Sequence, residues 1–92
     1  MGRAGRIVPK RLGEKLKAIR ENLGVETYEE MITRLDYQET QIYRSAIYEY
    51  EKGTRVPFLP ILLRYARLAN VSTDVLIDDE LDLPANSPPE IK

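Results

Sequence analysis

The side chains that could do chemistry in this chain are acidic, basic and aromatic, because its 92 residues include no Cys and no His. Four carboxylates cluster near the end of the sequence, at Asp78, Asp79, Glu80 and Asp82. They lack the regular spacing and the central Gly of a calcium loop, which favours a solvated helix terminus. No paired acid and base and no activated nucleophile accompany them. The sequence therefore predicts no enzyme activity, no metal site and no cofactor.

The charges are segregated along the chain, although the net charge is only −1. Residues 1–20 hold seven basic side chains and one acid, and residues 54–70 hold three basic side chains and no acid. Residues 21–53 and 71–92 are both acidic. Segregation of this kind can make one face of a fold positive, which suits a nucleic-acid partner. The alternative is a set of solvated helix faces with an acidic tail.

No membrane or secretion signal is visible in the sequence. No apolar run approaches the roughly 18 residues that span a bilayer. The basic start, MGRAGR, lacks the apolar stretch of a secretory signal. N-myristoylation of Gly2 is not expected, because the motif requires Ser or Thr at position 6 and this chain has Arg6. We expect a cytoplasmic protein with no membrane partner.

Apolar residues recur at helical spacing through the first half of the chain. One helix is predicted to begin at residue 8 or 9 and to end just before Gly24, which suits a left-handed C-terminal position. A second helix begins after Thr27, the N-cap of a capping box that Glu30 completes. A third ends at Gly53. Their main expected inward-facing residues are Leu12, Leu16, Ile19, Leu23, Met31, Ile32, Leu35, Ile42, Ala46, Ile47 and Tyr50.

Two further helices are predicted in the second half. Pro57 and Pro60 bracket the start of the fourth, where Pro is tolerated in the first turn. Asn70 suits the left-handed end of that helix, and Ser72 suits the N-cap of the fifth. No run alternates with period two for long enough to form a strand. The expected inward-facing residues are Leu59, Leu62, Leu63, Ala66 and Ala69 in the fourth helix, and Val75 and Leu76 in the fifth.

These elements predict an all-α fold with one domain. The domain of five short helices is expected over residues 9–80, preceded by a basic arm at residues 1–8. Residues 81–92 are acidic and contain three prolines with few apolar residues, which is typical of a flexible tail.

Three stretches, in order, resemble the Cro/XRE-type family of helix-turn-helix proteins. LKAIRENLG, residues 16–24, is similar to the family's first helix. IYEYEKGTRVP, residues 47–57, is similar to the end of its third helix and the basic turn that follows. LPILLRYARLANVSTDVL, residues 59–76, is similar to its fourth helix and the start of its fifth. The resemblance covers about residues 10–78 and implies a phage-repressor-like helix-turn-helix domain that binds duplex DNA.

Two features depart from the family pattern. The family usually has a Gln at the start of the second helix, where this chain has Thr27 and Tyr28. The family's second and third helices are joined by a turn of about three to four residues. Here Leu35 is followed by the longer polar stretch DYQETQI. The unit is therefore either a looser helix-turn-helix or one whose third helix begins early.

The resemblance implies that the third helix enters a major groove and that its first residues contact the base edges. Arg44 is the candidate for direct readout, because a guanidinium matches O6 and N7 of guanine. The alternative for Arg44 is a solvent-facing charge, and the alternative for Tyr43 and Tyr48 is a place in the core. The expected base-reading residues are Tyr43, Arg44, Ser45, Tyr48 and Glu49.

Phosphate contacts are expected on both sides of this helix. Helix N-termini attract anions, which singles out the start of the second helix. The turn after the third helix resembles the basic turn of the family, and the arm resembles arms that follow the DNA backbone or minor groove. A solubilising tail is the alternative for the arm. The expected phosphate-contacting residues are Thr27, Tyr28, Lys52, Thr54 and Arg55, with Arg3 and Arg6 in the arm.

The resemblance also implies a structural ion pair between the first and third helices. Glu51 would be the family's partly buried acid, and Arg20 would be its partner. Such a pair would join the two helices and set their register, because an unpaired buried carboxylate is unfavourable. The alternative is that Glu51 is exposed.

The resulting hypothesis is a transcriptional regulator, a repressor that reads an operator in double-stranded DNA as a homodimer through its third helix. A second hypothesis is a protein-interaction module that keeps the fold without operator binding, which is favoured by the acidic region of the second and third helices, by their longer connection and by the missing Gln. A third is an antitoxin whose acidic C-terminal tail, residues 81–92, covers a partner protein.

Overall fold

A computed structural model describes residues 9–84 of the chain. Within them the backbone forms five α-helices and no strand, so the predicted all-α fold is confirmed. The helices are α1 (Leu12–Asn22), α2 (Tyr28–Leu35), α3 (Arg44–Lys52), α4 (Leu59–Ala69) and α5 (Thr73–Ile77). They enclose one hydrophobic core, whose buried residues are Leu12, Leu16, Ile19, Val25, Met31, Leu35, Ile42, Ala46, Ile47, Tyr50, Ile61, Leu62, Tyr65, Ala66 and Leu76.

The ends of the helices follow local sequence signals. Thr27 precedes α2, and its hydroxyl accepts a hydrogen bond from the Glu30 amide at 3.1 Å, as an N-cap does. Gly24, Gly53 and Asn70 adopt left-handed backbone conformations after α1, α3 and α4. Ser72 occupies the predicted N-cap position of α5, but its side chain makes no capping hydrogen bond. The prediction of a Ser72 side-chain cap is therefore wrong, while its position is right.

The first helix begins later than predicted. Residues 9–11 are not helical, and α1 starts at Leu12. The Lys10 and Arg11 amides, just before α1, donate to a carboxylate from the far end of the domain, as described below. Hydrophobic spacing does not indicate this start, because the carboxylate that holds residues 10 and 11 is distant in sequence.

The connection between α2 and α3 is long and non-helical. Residues 36–43 separate the two helices, and Asp36 takes a left-handed conformation that ends α2. Of the two alternatives from the sequence, the looser connection is therefore correct, and α3 does not begin early. Ile42 is buried in the core, and the half-buried Tyr37 ring packs edge-on against Phe58 with 5.8 Å between centroids. These two contacts fasten the connection to the core and to the α4 end of the domain.

The buried face of α4 differs from the predicted face. Ile61, Leu62, Tyr65 and Ala66 are buried, whereas Leu59 is 75 % exposed and Leu63 is 41 % exposed. Ala69 is half-buried against the core. The prediction for Leu59 and Leu63 was wrong because α4 carries apolar residues around most of its circumference. Periodicity then fits more than one face, and packing against the other helices selects between them.

Gly13 allows α1 and α3 to approach closely. A Cβ atom at Gly13 would lie 2.8 Å from the Glu51 carbonyl oxygen and 2.9 Å from that of Tyr50. These are backbone atoms near the end of α3, so they cannot rotate away as a flexible side chain could. The close contact fixes the last turn of α3 against α1, next to the basic turn that follows.

Gly13→Ala should therefore lower the free energy of unfolding by about 1–3 kcal/mol, because overpacking forces the two helices apart. The sign of this change is informative, because at a helix position with free space Ala would instead raise the free energy of unfolding by about 1 kcal/mol relative to Gly. Urea denaturation would measure the change, with Asn22→Ala as a control at an exposed position of the same helix. A Gly13→Ala protein as stable as the wild type would show that α1 and α3 are not in this contact.

Lys15 joins the start of α1 to the segment that follows α5. It is 2 % exposed, and its ammonium donates to the carbonyl oxygens of Val75, Asp78 and Leu81 at 2.8, 2.9 and 2.8 Å. The last carbonyls of a helix have no partner within it, and a cation there is favoured. The sequence does not indicate this role for Lys15, because lysines on helices are rarely buried.

Asp79 makes the reciprocal contact. Its carboxylate accepts hydrogen bonds from the Lys10 and Arg11 amides at 2.9 and 3.0 Å, and these bonds hold the pKa of Asp79 below its ordinary value. The Arg11 guanidinium donates to the Asp79 carbonyl at 2.7 Å and to Asp82 at 2.6 Å. We call these contacts of Lys10, Arg11 and Lys15 with residues 75–82 the terminal clasp.

The terminal clasp changes two expectations. Asp79, predicted to be solvated, instead accepts hydrogen bonds from the Lys10 and Arg11 amides. Asp82 pairs with Arg11, while its side chain stays 76 % exposed as predicted. Residues 81–84, predicted to belong to the flexible tail, include Leu83, which packs against the core. The folded body therefore extends past the predicted boundary at residue 80. The remainder of the predicted tail, residues 85–92, and the predicted arm, residues 1–8, lie outside the described residues.

Candidate nucleic-acid interface

The N-terminal ends of α2 and α3 lie side by side and form a concave groove of about 510 Å³. We call this groove the α2–α3 surface. It brings together five residues predicted to contact DNA, although α2 and α3 are separated by residues 36–43. The lining residues are Arg20, Glu26, Thr27, Tyr28, Glu29, Arg44, Ser45 and Tyr48.

The side chains at the start of α3 are exposed. Tyr43 is 62 % exposed and Tyr48 is 48 % exposed, so the core role considered for these two rings is wrong. Arg44 is the first residue of α3, and its side chain is 73 % exposed. Ser45 is exposed beside it. This end of α3 therefore presents hydrogen-bonding groups and aromatic rings outward, while Ala46 and Ile47 anchor the helix in the core.

Aromatic rings and cations stack along one side of the groove. The Tyr28 and Tyr48 rings meet edge to face with 6.4 Å between centroids. The Arg20 guanidinium lies 5.2 Å from the Tyr28 centroid, and the Lys52 ammonium lies 5.7 Å from the Tyr48 centroid. Both distances suit cation–π attraction. These contacts connect α1, α2 and α3 and restrict the positions of the two tyrosines.

Each of the two arginines predicted to contact DNA from α3 and its following turn is paired with an acid. The Arg44 guanidinium lies 3.1 Å from a Glu29 carboxylate oxygen, and the Arg55 guanidinium lies 3.4 Å from Glu49. All four side chains are largely solvent-accessible, so each pair contributes only about 0–1 kcal/mol to stability. The pairs lower the positive potential of this face when no ligand is bound. Sequence reasoning did not find the Glu29–Arg44 pair, because the two residues belong to different elements.

The turn after α3 is built by backbone hydrogen bonds. The Gly53 conformation, with φ of 83°, allows the Thr54 amide to donate to the Glu49 carbonyl at 3.1 Å. The Thr54 hydroxyl donates to the same oxygen at 3.4 Å. Thr54 and Arg55 are exposed beyond this turn, as is Lys52 at the last position of α3. The three predicted phosphate-contacting residues of this segment are therefore accessible.

A smaller groove of about 200 Å³ continues from the α2–α3 surface between α1 and α3. Lys17 of α1 and Lys52 of α3 line it together with Tyr28 and Tyr48. Within residues 9–84, neither lysine forms an ion pair, so both positive charges are free to meet an anion. Sequence reasoning missed Lys17. Its position on the exposed face of the predicted first helix was visible, but the proximity of that face to α3 was not.

Arg20 and Glu51 form the predicted ion pair between α1 and α3. The guanidinium donates to both carboxylate oxygens, at 2.7 and 3.0 Å. The side chains are 11 % and 5 % exposed, so the alternative of an exposed Glu51 is wrong. Arg20 also donates to the Val25 carbonyl at 3.1 Å. The hydrogen bonds that Arg20 donates to the Glu51 carboxylate raise the pKa of Arg20 above its ordinary value.

Other kinds of site find no support in the described part of the chain. Across residues 9–84, no group of three or more His, Cys, Asp or Glu side chains is placed to hold a metal ion. Over the same residues, no helix has the length and apolar character needed to cross a bilayer. Arg3 and Arg6, predicted to contact DNA from the arm, lie outside the described residues.

Comparisons with protein-family models, with curated proteins and with solved structures found no match to this chain.

Proposed function

We propose that this chain is a Cro/XRE-type helix-turn-helix protein that binds a specific sequence of duplex DNA and represses transcription as a homodimer. The observation that carries the proposal is the α2–α3 surface. It joins the N-terminus of α2 to the N-terminal end of α3, and it contains the exposed side chains of Arg44 and Tyr48. The resemblance of three sequence stretches to the family supports the same proposal.

Base readout is assigned to the first turns of α3. Arg44 would donate to O6 and N7 of a guanine, and Ser45 would contact a neighbouring base or phosphate. The Tyr43 and Tyr48 rings would contact thymine methyl groups. Glu49, which is half exposed, would accept from a cytosine amino group.

Phosphate binding is assigned to the groups around α3. The first amides of α2, after Thr27, would attract a phosphate anion. Lys52, Thr54 and Arg55 would contact the backbone beyond the other end of α3, and Lys17 adds a fourth group there. Arg3 and Arg6 of the arm would follow the DNA backbone or minor groove.

The acids in the groove do not prevent this use. Binding would separate Arg44 from Glu29 and Arg55 from Glu49, and each exposed pair is worth only about 0–1 kcal/mol. A bidentate contact between arginine and guanine discriminates by about 1–3 kcal/mol. Arg44 can therefore exchange its acid for the correct base, and the exchange would be less favourable with a wrong base.

The proposal is tested by selecting bound sequences from a random duplex library at stated salt. One sequence motif should be enriched, and its binding should tighten as salt falls from about 200 to about 50 mM. With about three to five phosphate contacts per subunit, a dimer should gain on the order of a thousandfold. Deleting residues 1–6 should reduce this salt dependence without changing the preferred sequence. A library with no enriched sequence, together with no binding at low salt, would rule the proposal out.

Arg55→Ala and Arg44→Ala should weaken DNA binding in different ways. Arg55→Ala should weaken binding to all duplexes about equally and reduce the salt slope by roughly one unit, because it removes a phosphate contact. Arg44→Ala should cost about 1–3 kcal/mol on the selected site and relax the preference at one base position. Fluorescence anisotropy on the selected and scrambled duplexes would measure both.

Arg34→Ala is the matched control for this pair of variants. Arg34 is exposed on α2, its guanidinium lies 3.9 Å from the Glu30 carboxylate of the same helix, and it does not line the α2–α3 surface. Its removal should change neither the sequence preference nor the salt slope by more than a small fraction. If Arg44→Ala weakens specific and scrambled DNA equally, Arg44 contacts phosphate and reads no base.

A protein partner is the second candidate occupant of the α2–α3 surface. The acids Glu26 and Glu29 in its lining and the pairing of both arginines favour a surface of mixed charge, which suits another protein. This candidate, as an interaction module or as an antitoxin, replaces the first if the duplex selection fails. Genomic neighbourhood would separate an antitoxin from a repressor.

A further inference from the structure

The terminal clasp fixes the point at which the N-terminal arm joins the domain. Lys10 and Arg11 precede α1, where backbone amides have no partner within the helix. The two oxygens of the Asp79 carboxylate accept one hydrogen bond each from these amides, at 2.9 and 3.0 Å. We call residues 10 and 11 the arm root. Its position is therefore set by a residue at the other end of the domain.

The arm root lies at the same end of the domain as the basic turn after α3. Gly13 follows Lys10 by three residues, and a Cβ atom on Gly13 would lie 3.1 Å from the Gly53 amide nitrogen. Three residues span at most about 11 Å, so the arm root and the start of the turn lie close together. Arg55, proposed to contact phosphate, belongs to this turn.

We propose that Asp79 is a positioning residue for DNA binding, which anchors the arm root so that Arg3 and Arg6 start beside the phosphate-contacting turn. A fully extended chain places Arg6 at most about 14 Å, and Arg3 at most about 25 Å, from Lys10. The place of the arm root therefore decides which part of a bound duplex the two arginines can reach. The inference rests on the proposed function, in which the arm follows the DNA backbone or minor groove.

The anchor also lowers the entropic cost of using the arm. Without the Asp79 hydrogen bonds, residues 9–11 would be released from the domain and would have to be ordered each time the arm binds DNA. Ordering the backbone of one residue lowers an equilibrium constant about tenfold. The clasp orders these residues before DNA arrives, so this cost is removed from the binding step.

The acids at the arm root are occupied within the clasp. The Arg11 guanidinium donates to Asp82 at 2.6 Å, while the two amides of the arm root bind Asp79. Carboxylates without such partners would attract Arg3 and Arg6 and would compete with phosphate for them. The clasp therefore reduces this competition as well as placing the arm.

Asp79→Ala should weaken binding to the selected duplex at least about tenfold in the full chain, and less than about twofold in a protein that lacks residues 1–6. The preferred sequence should stay the same, because the base-reading residues of α3 are not changed. A role of Asp79 in the fold alone would give the same loss in both proteins. Removing a negative charge by itself favours binding to DNA, so a loss of affinity would not come from the charge.

Asp74→Ala is the matched control, because it removes the same charge from an exposed position of α5. Asp74 forms no ion pair within residues 9–84, so its replacement should not weaken binding in either protein. Fluorescence anisotropy would measure binding, and circular dichroism melts would establish that the variants are folded. If Asp79→Ala does not fold, Asp79→Asn takes its place, since it keeps one acceptor oxygen. Equal losses in the full and shortened proteins, or no loss in either, would overturn the inference.

Amide hydrogen exchange in the free protein tests the anchor without DNA. The Lys10 and Arg11 amides should exchange at least about tenfold more slowly than those of an unstructured chain, and Asp79→Ala should remove this protection. A wild-type protein that binds its duplex with unprotected amides keeps the proposed function and loses this inference. A protein with protected amides that enriches no duplex keeps the terminal clasp, and it loses both the proposed function and the positioning role.

Discussion

Replacing Lys15 with Met should lower the free energy of unfolding by about 3–5 kcal/mol, because it removes a buried cation from three carbonyl oxygens. A hydrogen bond from a charged donor contributes about 1.5–3 kcal/mol, and each buried acceptor left without a partner costs about 1–3 kcal/mol. The expected loss is smaller than the sum of these contributions, because the segment after α5 can relax and expose some of the carbonyl oxygens to water. Met is close to Lys in size, so the substitution tests the ammonium rather than the packing of the stem.

Urea denaturation would measure the Lys15→Met effect, and Lys17→Met is its control. Lys17 lies on the same helix but is exposed, so its replacement should change stability by less than about 0.5 kcal/mol. A domain of this size is stable by about 5–15 kcal/mol, so the loss at Lys15 would be a large part of the total. A Lys15→Met protein within about 1 kcal/mol of the wild type would show that the terminal clasp does not hold the folded state together.

Arg20→Met should lower the free energy of unfolding by about 3 kcal/mol, because it leaves the Glu51 carboxylate buried without its partner. The Glu51 side chain is 5 % exposed, so water cannot replace the guanidinium without opening the contact between α1 and α3. Met also fails to donate to the Val25 carbonyl. A loss under about 0.5 kcal/mol in denaturant melts would indicate an exposed pair of little energetic weight.

A double variant distinguishes two causes of the stability loss in Arg20→Met, the unpaired Glu51 charge and the loss of the other Arg20 contacts. Arg20→Met combined with Glu51→Met removes both charges, and it should recover most of the stability lost in the single variant, since paired apolar replacements of buried ion pairs are often neutral. If the double variant is as unstable as Arg20→Met alone, the loss comes from the other contacts of Arg20, with Val25 and with the Tyr28 ring.

The two buried cations, Arg20 and Lys15, help to fix the positions of the helices that carry the proposed DNA-binding residues. Arg20 holds α1 to α3 beside the α2–α3 surface, and Gly13 lets the same helices touch near the basic turn. Lys15 holds the end of the domain to α1 from the other side. Arg20→Lys should therefore be tolerated poorly, because a single ammonium cannot reproduce the bidentate contact with Glu51.

Local sequence determined the five helices and most of their ends. Thr27 with Glu30 specified the start of α2, and Gly24, Gly53 and Asn70 specified ends that require a left-handed residue. These signals are readable because the groups involved lie within a few residues of one another. The Arg20–Glu51 pair was also foreseen, but through a family resemblance rather than through spacing.

Only the tertiary structure decided which side of α4 is buried, which lysine is covered and which acid meets Arg44. The apolar residues of α4 fit more than one face, so packing against the rest of the domain left Leu59 and Leu63 exposed. Lys15 is buried because carbonyl oxygens of α5 and of the segment after it converge on its ammonium from 60 to 66 positions away in the sequence. Glu29 meets Arg44 across a long connection whose path is set by the burial of Ile42. Such contacts depend on how helices are placed in space, and residue spacing along one helix carries no information about that placement.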